Sequence, residues 1–194
     1  MSSLSLFSKA RIILTRPKVA LVLGKGAKEV ICQVLKGEGK PKKGVLVEEA
    51  DLEKIEEAKF LIGKASLPIL VISQLAELPL EKIRELIKVM PSYGFLILNF
   101  DEETVRGLKG ESVSRVLTFG FQPRADFWAS DVKINGGTNF KINYQGKVVP
   151  IWLGKTLSQK EVYSVLVAIT VGVVLDINLV EISQRLKDLT FVTK

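Results

Sequence analysis

The chain has 194 residues, 47% of them hydrophobic, which is enough for one sizeable domain with a real core and argues against a disordered chain. A single cysteine excludes an internal disulfide framework, and the absence of histidine removes the commonest zinc ligand and the commonest general base. The formal net charge of +7 suits an anionic partner such as a nucleotide, a nucleic acid or a membrane surface.

Strand-like and helix-like segments alternate through the first hundred residues, which is typical of parallel β–α–β units. Apolar runs predict strands at residues 19–23, 44–48, 67–73 and 94–99, and helical patterns lie between them at 27–35, 52–63 and 80–90. Strands that are so continuously apolar are covered on both faces of their sheet.

The pattern changes after Asp101. Short strands are predicted at residues 115–119, 126–134, 138–144 and 147–153, with Gln145 and Gly146 as a hairpin turn, and we interpret this stretch as an antiparallel meander. Helices return at 159–175 and 179–186. The apolar run 162–175 is shorter than the roughly 20 residues of a bilayer span, so we predict a buried helix and no membrane span.

The first predicted strand runs into Gly24-Lys25-Gly26-Ala27-Lys28-Glu29 and then into a helix, which is where a phosphate-binding loop would lie. Such a loop needs glycines, a lysine for the phosphates and, directly after it, serine or threonine for Mg²⁺. Here Gly26 follows Lys25 and Glu29 follows Lys28, so neither lysine has its hydroxyl partner. Which of the two would face phosphate stays open.

Five strings in the second half occur in a recognisable order at suitable spacing. They are residues 98–102 (LNFDE), 116–120 (VLTFG), 125–132 (ADFWASDV), 137–140 (GTNF) and 166–169 (LVAI). Over residues 10–188 the chain resembles the central domain of the Mur ligases, ATP-dependent amide ligases that build peptidoglycan precursors. The resemblance is closest to their D-alanyl-D-alanine-adding branch.

This resemblance implies an α/β fold: a mostly parallel sheet flanked by helices, of the P-loop, Mur-ligase central-domain type, with a small antiparallel meander in the second half. We expect one domain over residues 1–194. Its parallel part would cover about residues 10–110, the meander about 113–153 and the closing helices about 158–188. The C-terminal domain of these ligases is expected to be absent, and the location to be cytoplasmic.

The resemblance also implies a nucleotide site, with ATP and Mg²⁺ as cofactors. The corresponding nucleotide-binding positions are Gly24, Lys25, Gly26, Lys28, Asn99 and Asp101, and Glu48 is the candidate metal ligand. No catalytic residue can be assigned. Several family positions are changed: a histidine expected after the third strand is missing, and Lys160, Glu161 and Ser164 replace the histidine and asparagines of a late nucleotide-contact helix. We therefore expect no independent ligase activity, and whether the chain is an enzyme stays open.

Two main hypotheses follow. The chain is a partial ligase that binds a nucleotide or a UDP-sugar peptide and acts with a protein partner supplying the missing domain, or it is a non-catalytic binding or scaffolding module descended from a Mur ligase. Nucleic-acid binding through the basic run at residues 36–43 ranks lower, because that Gly/Pro-interrupted run is typical of a solvated loop and no RNA-type aromatic signature accompanies it.

Overall fold

The computed structural model describes residues 5–36, 44–74, 78–187 and 189. In this part of the chain eight strands form one sheet: β1 (Lys18–Leu23), β2 (Val45–Glu49), β3 (Leu67–Ile72), β4 (Phe95–Asn99), β5 (Arg115–Gly120), β6 (Phe127–Ile134), β7 (Thr138–Tyr144) and β8 (Lys147–Leu153). Their spatial order is β2-β1-β3-β4-β5-β6-β7-β8. All neighbours from β2 to β6 pair in parallel, and β6, β7 and β8 pair antiparallel.

Helices cover both faces of the sheet. They are α1 (Leu6–Thr15), α2 (Ala27–Lys36), α3 (Ile55–Lys64), α4 (Leu80–Lys88), α5 (Glu103–Gly107), α6 (Gln159–Val174) and α7 (Leu179–Leu186), with 3₁₀ turns at Leu52–Lys54 and Leu108–Glu111. One hydrophobic cluster joins α2, α6 and α7 to the sheet, and a second joins α3 and α4 to its opposite face. Within the described ranges, no helix has the length and apolar character needed to cross a bilayer.

Strand β1 shows why its sequence is apolar without alternation. Val19 and Leu21 belong to the cluster with α3 and α4, whereas Ala20 and Val22 belong to the cluster with α2 and α6. All four are at most 1% exposed. Successive side chains of a strand point to opposite faces, so a strand with helices on both sides needs apolar residues at every position.

The predicted fold class is confirmed, and the predicted strand positions lie close to the observed ones. The hairpin at Gln145 and Gly146 is also confirmed, since both residues have positive φ (48° and 75°), as a tight two-residue turn requires. One detail needs correction: β5 pairs in parallel with β4 and with β6, so the antiparallel meander contains β6 to β8 and does not begin near residue 113.

The position of the site follows from the strand order. The chain moves from β1 to one side to form β2 and to the other side to form β3. In open parallel sheets, ligands bind beyond the carboxyl ends of the strands at such a reversal. The segments that follow β1, β2 and β3 are therefore the first place to look for a binding site.

The packing of β7 against β8 can be tested at Gly137, the residue directly before β7. A Cβ atom added at Gly137 would lie 2.6 Å from the backbone oxygen of Leu153 on β8. Gly137→Ala should therefore lower the free energy of unfolding by about 1–3 kcal/mol, measured by urea denaturation, because the strands must separate. Gly63→Ala, in α3 with no atom within 4 Å of its added Cβ, is the control and should be neutral or slightly stabilising. Equal effects of the two substitutions would contradict the observed β7–β8 packing.

Candidate functional site

A cleft of about 540 Å³ lies beyond the carboxyl ends of β1, β2 and β3, at the reversal of strand order, and we call it the carboxyl-edge cleft. Its wall combines segments that follow three strands with one face of α6. The polar residues lining it are Lys25, Glu49, Asp51, Ser73, Gln74, Lys160, Tyr163 and Ser164, with Val22, Leu23, Gly24, Ala50 and Leu78 completing the wall.

The connection from β1 to α2 consists of Gly24, Lys25 and Gly26. Both glycines have positive φ (128° and 90°), which a residue with a side chain rarely adopts. A Cβ atom at Gly24 would lie 2.0 Å from Ser73 Oγ. The backbone N–H and the hydroxyl of Ser73 both donate to the carbonyl of Leu23, at 3.1 and 3.0 Å. The connection is therefore a tight turn held against β3, shorter than a P-loop, which places four residues between its two glycines.

Two glutamates from the end of β2 contact the first turn of α2. The N–H of Gly26 donates a long hydrogen bond to Glu49 Oε1 (3.4 Å), and Lys28 Nζ lies 2.7 Å from Glu48 Oε2. A helix N-terminus attracts anions because its first N–H groups have no partner in the helix. The carboxylate of Glu49 thus lies next to the N–H group that precedes α2, and Glu48 pairs with the Lys28 side chain in the first turn.

The Lys28–Glu48 pair is partly buried, with side-chain exposures of 34% and 26%. Burial alone would lower the pKa of Lys28, but the hydrogen bond and negative charge of Glu48 outweigh it and the net shift of the pKa is upward. Lys28 is therefore a fixed cation whose charge is balanced within the protein.

The Lys28–Glu48 ion pair involves Glu48, the residue predicted as the metal ligand. The carboxylate of Glu48 is bound by an ammonium group, and no group of three or more His, Cys, Asp or Glu residues in the described ranges could hold a metal ion. With no hydroxyl residue after either lysine, the side chains present do not fit a Mg²⁺–nucleotide complex held in the manner of a P-loop.

Asn99 and Asp101, predicted as nucleotide contacts, hydrogen-bond to the protein itself. Asn99 is 3% exposed; its Nδ2 donates to the carbonyl of Ser73 (3.0 Å) and its Oδ1 accepts from the N–H of Asp101 (3.0 Å). The carboxylate of Asp101 accepts from the N–H groups of Phe121 (2.7 Å) and Gln122 (3.1 Å). These two side chains connect β3, β4 and the segment after β5.

Tyr163 extends this network to α6. Its hydroxyl donates to Asp101 Oδ2 at 2.9 Å, and its ring makes edge-to-face contacts with Phe119 and Phe121. Burial raises the pKa of Tyr163, and the hydrogen bond and charge of Asp101 raise it further. The phenol is therefore a neutral donor over the physiological pH range.

Lys25 and Lys160 complete the cleft. Both are exposed, and neither forms an ion pair with any residue in the described ranges. The neighbouring Glu161 does not face a ligand; its side chain accepts from the N–H and hydroxyl of Ser158 in a capping box that starts α6. The cleft therefore carries two exposed ammonium groups that form no ion pair with the described residues.

The structure brings some of the predicted residues to the cleft and not others. Gly24 and Lys25 line it, Gly26 faces Glu49, Lys28 and Glu48 pair with each other, and Asn99 and Asp101 lie in the supporting network. No role for Glu49 or Tyr163 was predicted from the sequence. Tyr163 is the only aromatic residue in the apolar helix 159–174, and this isolated hydroxyl was an available signal. Most of the basic run at 36–43 lies outside the described residues.

No family model matches this chain. UDP-N-acetylmuramate–L-alanine ligase from Alkaliphilus metalliredigens is 27% identical over 99 residues, which are 50% of this chain and 22% of that protein. The UDP-N-acetylmuramoylalanyl-D-glutamyl-2,6-diaminopimelate–D-alanyl-D-alanyl ligase of Acinetobacter baumannii superposes on 95% of this chain with a TM-score of 0.73 at 12% identity. MurF of Thermotoga maritima, solved with ADP, also covers 95% of it, with a TM-score of 0.70 at 16% identity.

These matches cover only part of each relative. The chain spans 49% and 53% of the two solved ligases. Solved ligases of several branches, the D-alanyl-D-alanine-adding one among them, share the fold at similar TM-scores and at 11–16% identity, whereas the curated sequence matches are to L-alanine-adding ligases. The finding common to both comparisons is a relationship to the Mur ligases as a family.

The acceptor role of Asp101 can be tested by substitution. Asp101→Asn should lower the free energy of unfolding by about 1–3 kcal/mol, because the amide cannot accept all of these hydrogen bonds. Asp131→Asn, which removes an exposed ion pair with Lys141, is the matched control and should cost less than about 1 kcal/mol. A loss at Asp101 no larger than at Asp131 would mean that the network does not stabilise the fold.

The raised pKa of Tyr163 predicts a pH dependence. The folded chain holds this proton to higher pH than the unfolded chain, whose tyrosines titrate near pH 10. The stabilisation is therefore complete below about pH 10 and is lost as the pH rises further. The free energy of unfolding of Tyr163→Phe should fall less steeply above pH 10 than that of the wild type. Tyr93→Phe, at a half-exposed position, should behave as the wild type; identical slopes for all three proteins would contradict the assignment.

Proposed function

Since this chain is a Mur-ligase-like domain, related to the ligases of peptidoglycan precursor synthesis, we propose that it is a non-catalytic binding module that does not ligate amides with ATP on its own. One observation carries the proposal: carboxylates of Glu48 and Glu49 lie against the first turn of α2, where a nucleotide's phosphates would have to bind. A phosphate at this position would meet the negative charge of Glu49 and would have to displace it from the N–H of Gly26, while the nearby Lys28 is already paired with Glu48.

The loss of these phosphate-binding groups should lower the rate of amide ligation strongly. Amide ligation through an acyl phosphate requires positive charge and oriented N–H groups around the transferred phosphoryl group. Removing one such element typically costs on the order of 10²–10³ in rate. Here the amide of Gly26 is engaged, the charge of Lys28 is balanced by Glu48, and the hydroxyl residue for Mg²⁺ is missing from the sequence.

Calorimetric titration with ATP and Mg²⁺ tests this proposal. We expect binding weaker than about 1 mM, because the anion site at α2 is already occupied by protein carboxylates. Glu49→Gln, which removes a negative charge and weakens the contact to Gly26, should strengthen binding relative to the wild type. Glu53→Gln, on the exposed side of the following 3₁₀ turn, is the charge-matched control and should change nothing. Micromolar binding of ATP–Mg²⁺ to the wild type would overturn the proposal.

A second candidate is a partial ligase that binds a UDP-sugar peptide and acts with a protein partner. The observation that favours it is the carboxyl-edge cleft, with Lys25 and Lys160 exposed and outside any ion pair in the described part of the chain. A diphosphate is an anion that two such lysines could bind.

Titration with a UDP-muramoyl peptide distinguishes the candidates. Under the second candidate, Lys25→Ala and Lys160→Ala should each weaken binding, while Lys28→Ala and the exposed Lys155→Ala should not. If the wild type binds the UDP-muramoyl peptide more weakly than about 1 mM, the partial-ligase hypothesis is rejected. This peptide is then not a ligand of the binding module. Nucleic-acid binding through residues 36–43 predicts instead an affinity that falls steeply with salt.

A further inference from the structure

The N-terminal helix α1 presents an apolar stripe to solvent. Leu6 (82% exposed), Phe7 (88%), Ile13 (49%) and Leu14 (84%) lie on one side of it, and the exposed Ala10 lies between them. The spacing i, i+1, i+4, i+7, i+8 places all five on one face of a helix. We call these five residues the α1 stripe.

The opposite face of α1 attaches the helix to the domain. Ile12 is its buried residue, and Lys9 Nζ lies 5.8 Å from the ring centroid of Phe60 on α3. Both ends are capped: the Ser5 hydroxyl accepts from the N–H of Ser8, and the N–H of Arg16 donates to the carbonyl of Ile12. The helix is therefore formed and oriented before any partner binds, with the α1 stripe directed away from the core.

Cations border the α1 stripe. At about 100° per residue, Lys9 lies just beyond one margin of the stripe and Arg11 just beyond the other. Arg16 follows at the C-cap, and residues 5–17 contain no acidic residue. Lysine and arginine at the margins of an apolar face can extend their charges toward a negatively charged surface while the apolar residues enter it.

We propose that α1 lies in the plane of an anionic lipid bilayer, with the α1 stripe inserted at the level of the headgroups and with the exposed Arg11 against lipid phosphates. Charge complementarity favours this occupant, because the helix carries only positive charge and the chain has a net charge of +7. An interfacial helix needs only one apolar face and flanking cations.

Co-sedimentation with vesicles tests the proposal on the whole chain. We expect binding to mixed phosphatidylglycerol–phosphatidylcholine vesicles, weaker binding to phosphatidylcholine alone, and a decrease with added salt. Phe7→Gln and Leu14→Gln should each lower the partition coefficient about tenfold, because each side chain loses its apolar insertion. Arg11→Gln should lower it about fivefold on the anionic vesicles and little on phosphatidylcholine.

Val113→Gln is the matched control, since Val113 is 75% exposed but lies away from α1, and it should bind as the wild type does. Circular dichroism of each variant checks that the fold is kept. The proposal is overturned if the wild type does not sediment with anionic vesicles, or if Phe7→Gln and Leu14→Gln bind as the wild type does. It is also overturned if sedimentation equilibrium shows a dimer that Phe7→Gln dissociates while vesicle binding is absent, because a second copy would then cover the stripe.

Discussion

The carboxylate of Asp101 is the contact on which the carboxyl edge of this sheet depends. It accepts hydrogen bonds from the segment after β5 and from Tyr163 on α6, while the backbone N–H of the same residue binds Asn99, whose side chain reaches the end of β3. No room is left beside it: a Cβ atom at Gly120 would lie 2.7 Å from its Oδ2. Two residues that resemble a nucleotide-contact motif therefore also determine how three strands and a helix meet.

The charged residues around the cleft form two groups: those paired within the protein and those exposed to solvent. Lys28 and Glu48 balance each other, and the N–H of Gly26 is bound by Glu49. Lys25, in the turn before α2, and Lys160, on α6, are exposed. The first arrangement stabilises the domain by filling an anion site with the protein's own carboxylates. The second leaves a surface that can attract an anionic ligand, which is the property expected of a binding module.

The sequence predicted the parallel core well, because helices on both faces require apolar residues throughout each strand, as in β1 and β3. It could not predict that β5 pairs in parallel on both sides, since this depends on how the chain returns between β4 and β5, over residues 100–114, and between β5 and β6, over residues 121–126. No element was predicted at residues 6–15, where α1 lies. Its apolar side chains face solvent, so the pattern that marks a helix packed on a core does not apply to it. Within the site, the contact between Glu49 and Gly26 joins positions 23 residues apart and leaves no local pattern.

The amide of Gly26 offers the most direct measurement of the central claim, that α2 begins at an anion site already filled by glutamate. Its ¹H–¹⁵N resonance can be followed while ATP and Mg²⁺ are added to the wild-type chain. If Glu49 holds this N–H group, the resonance should not move with nucleotide, whereas Glu49→Gln should shift it without any ligand. A saturable shift of the Gly26 resonance on adding ATP–Mg²⁺ to the wild type would show that phosphate displaces the glutamate and would contradict the account.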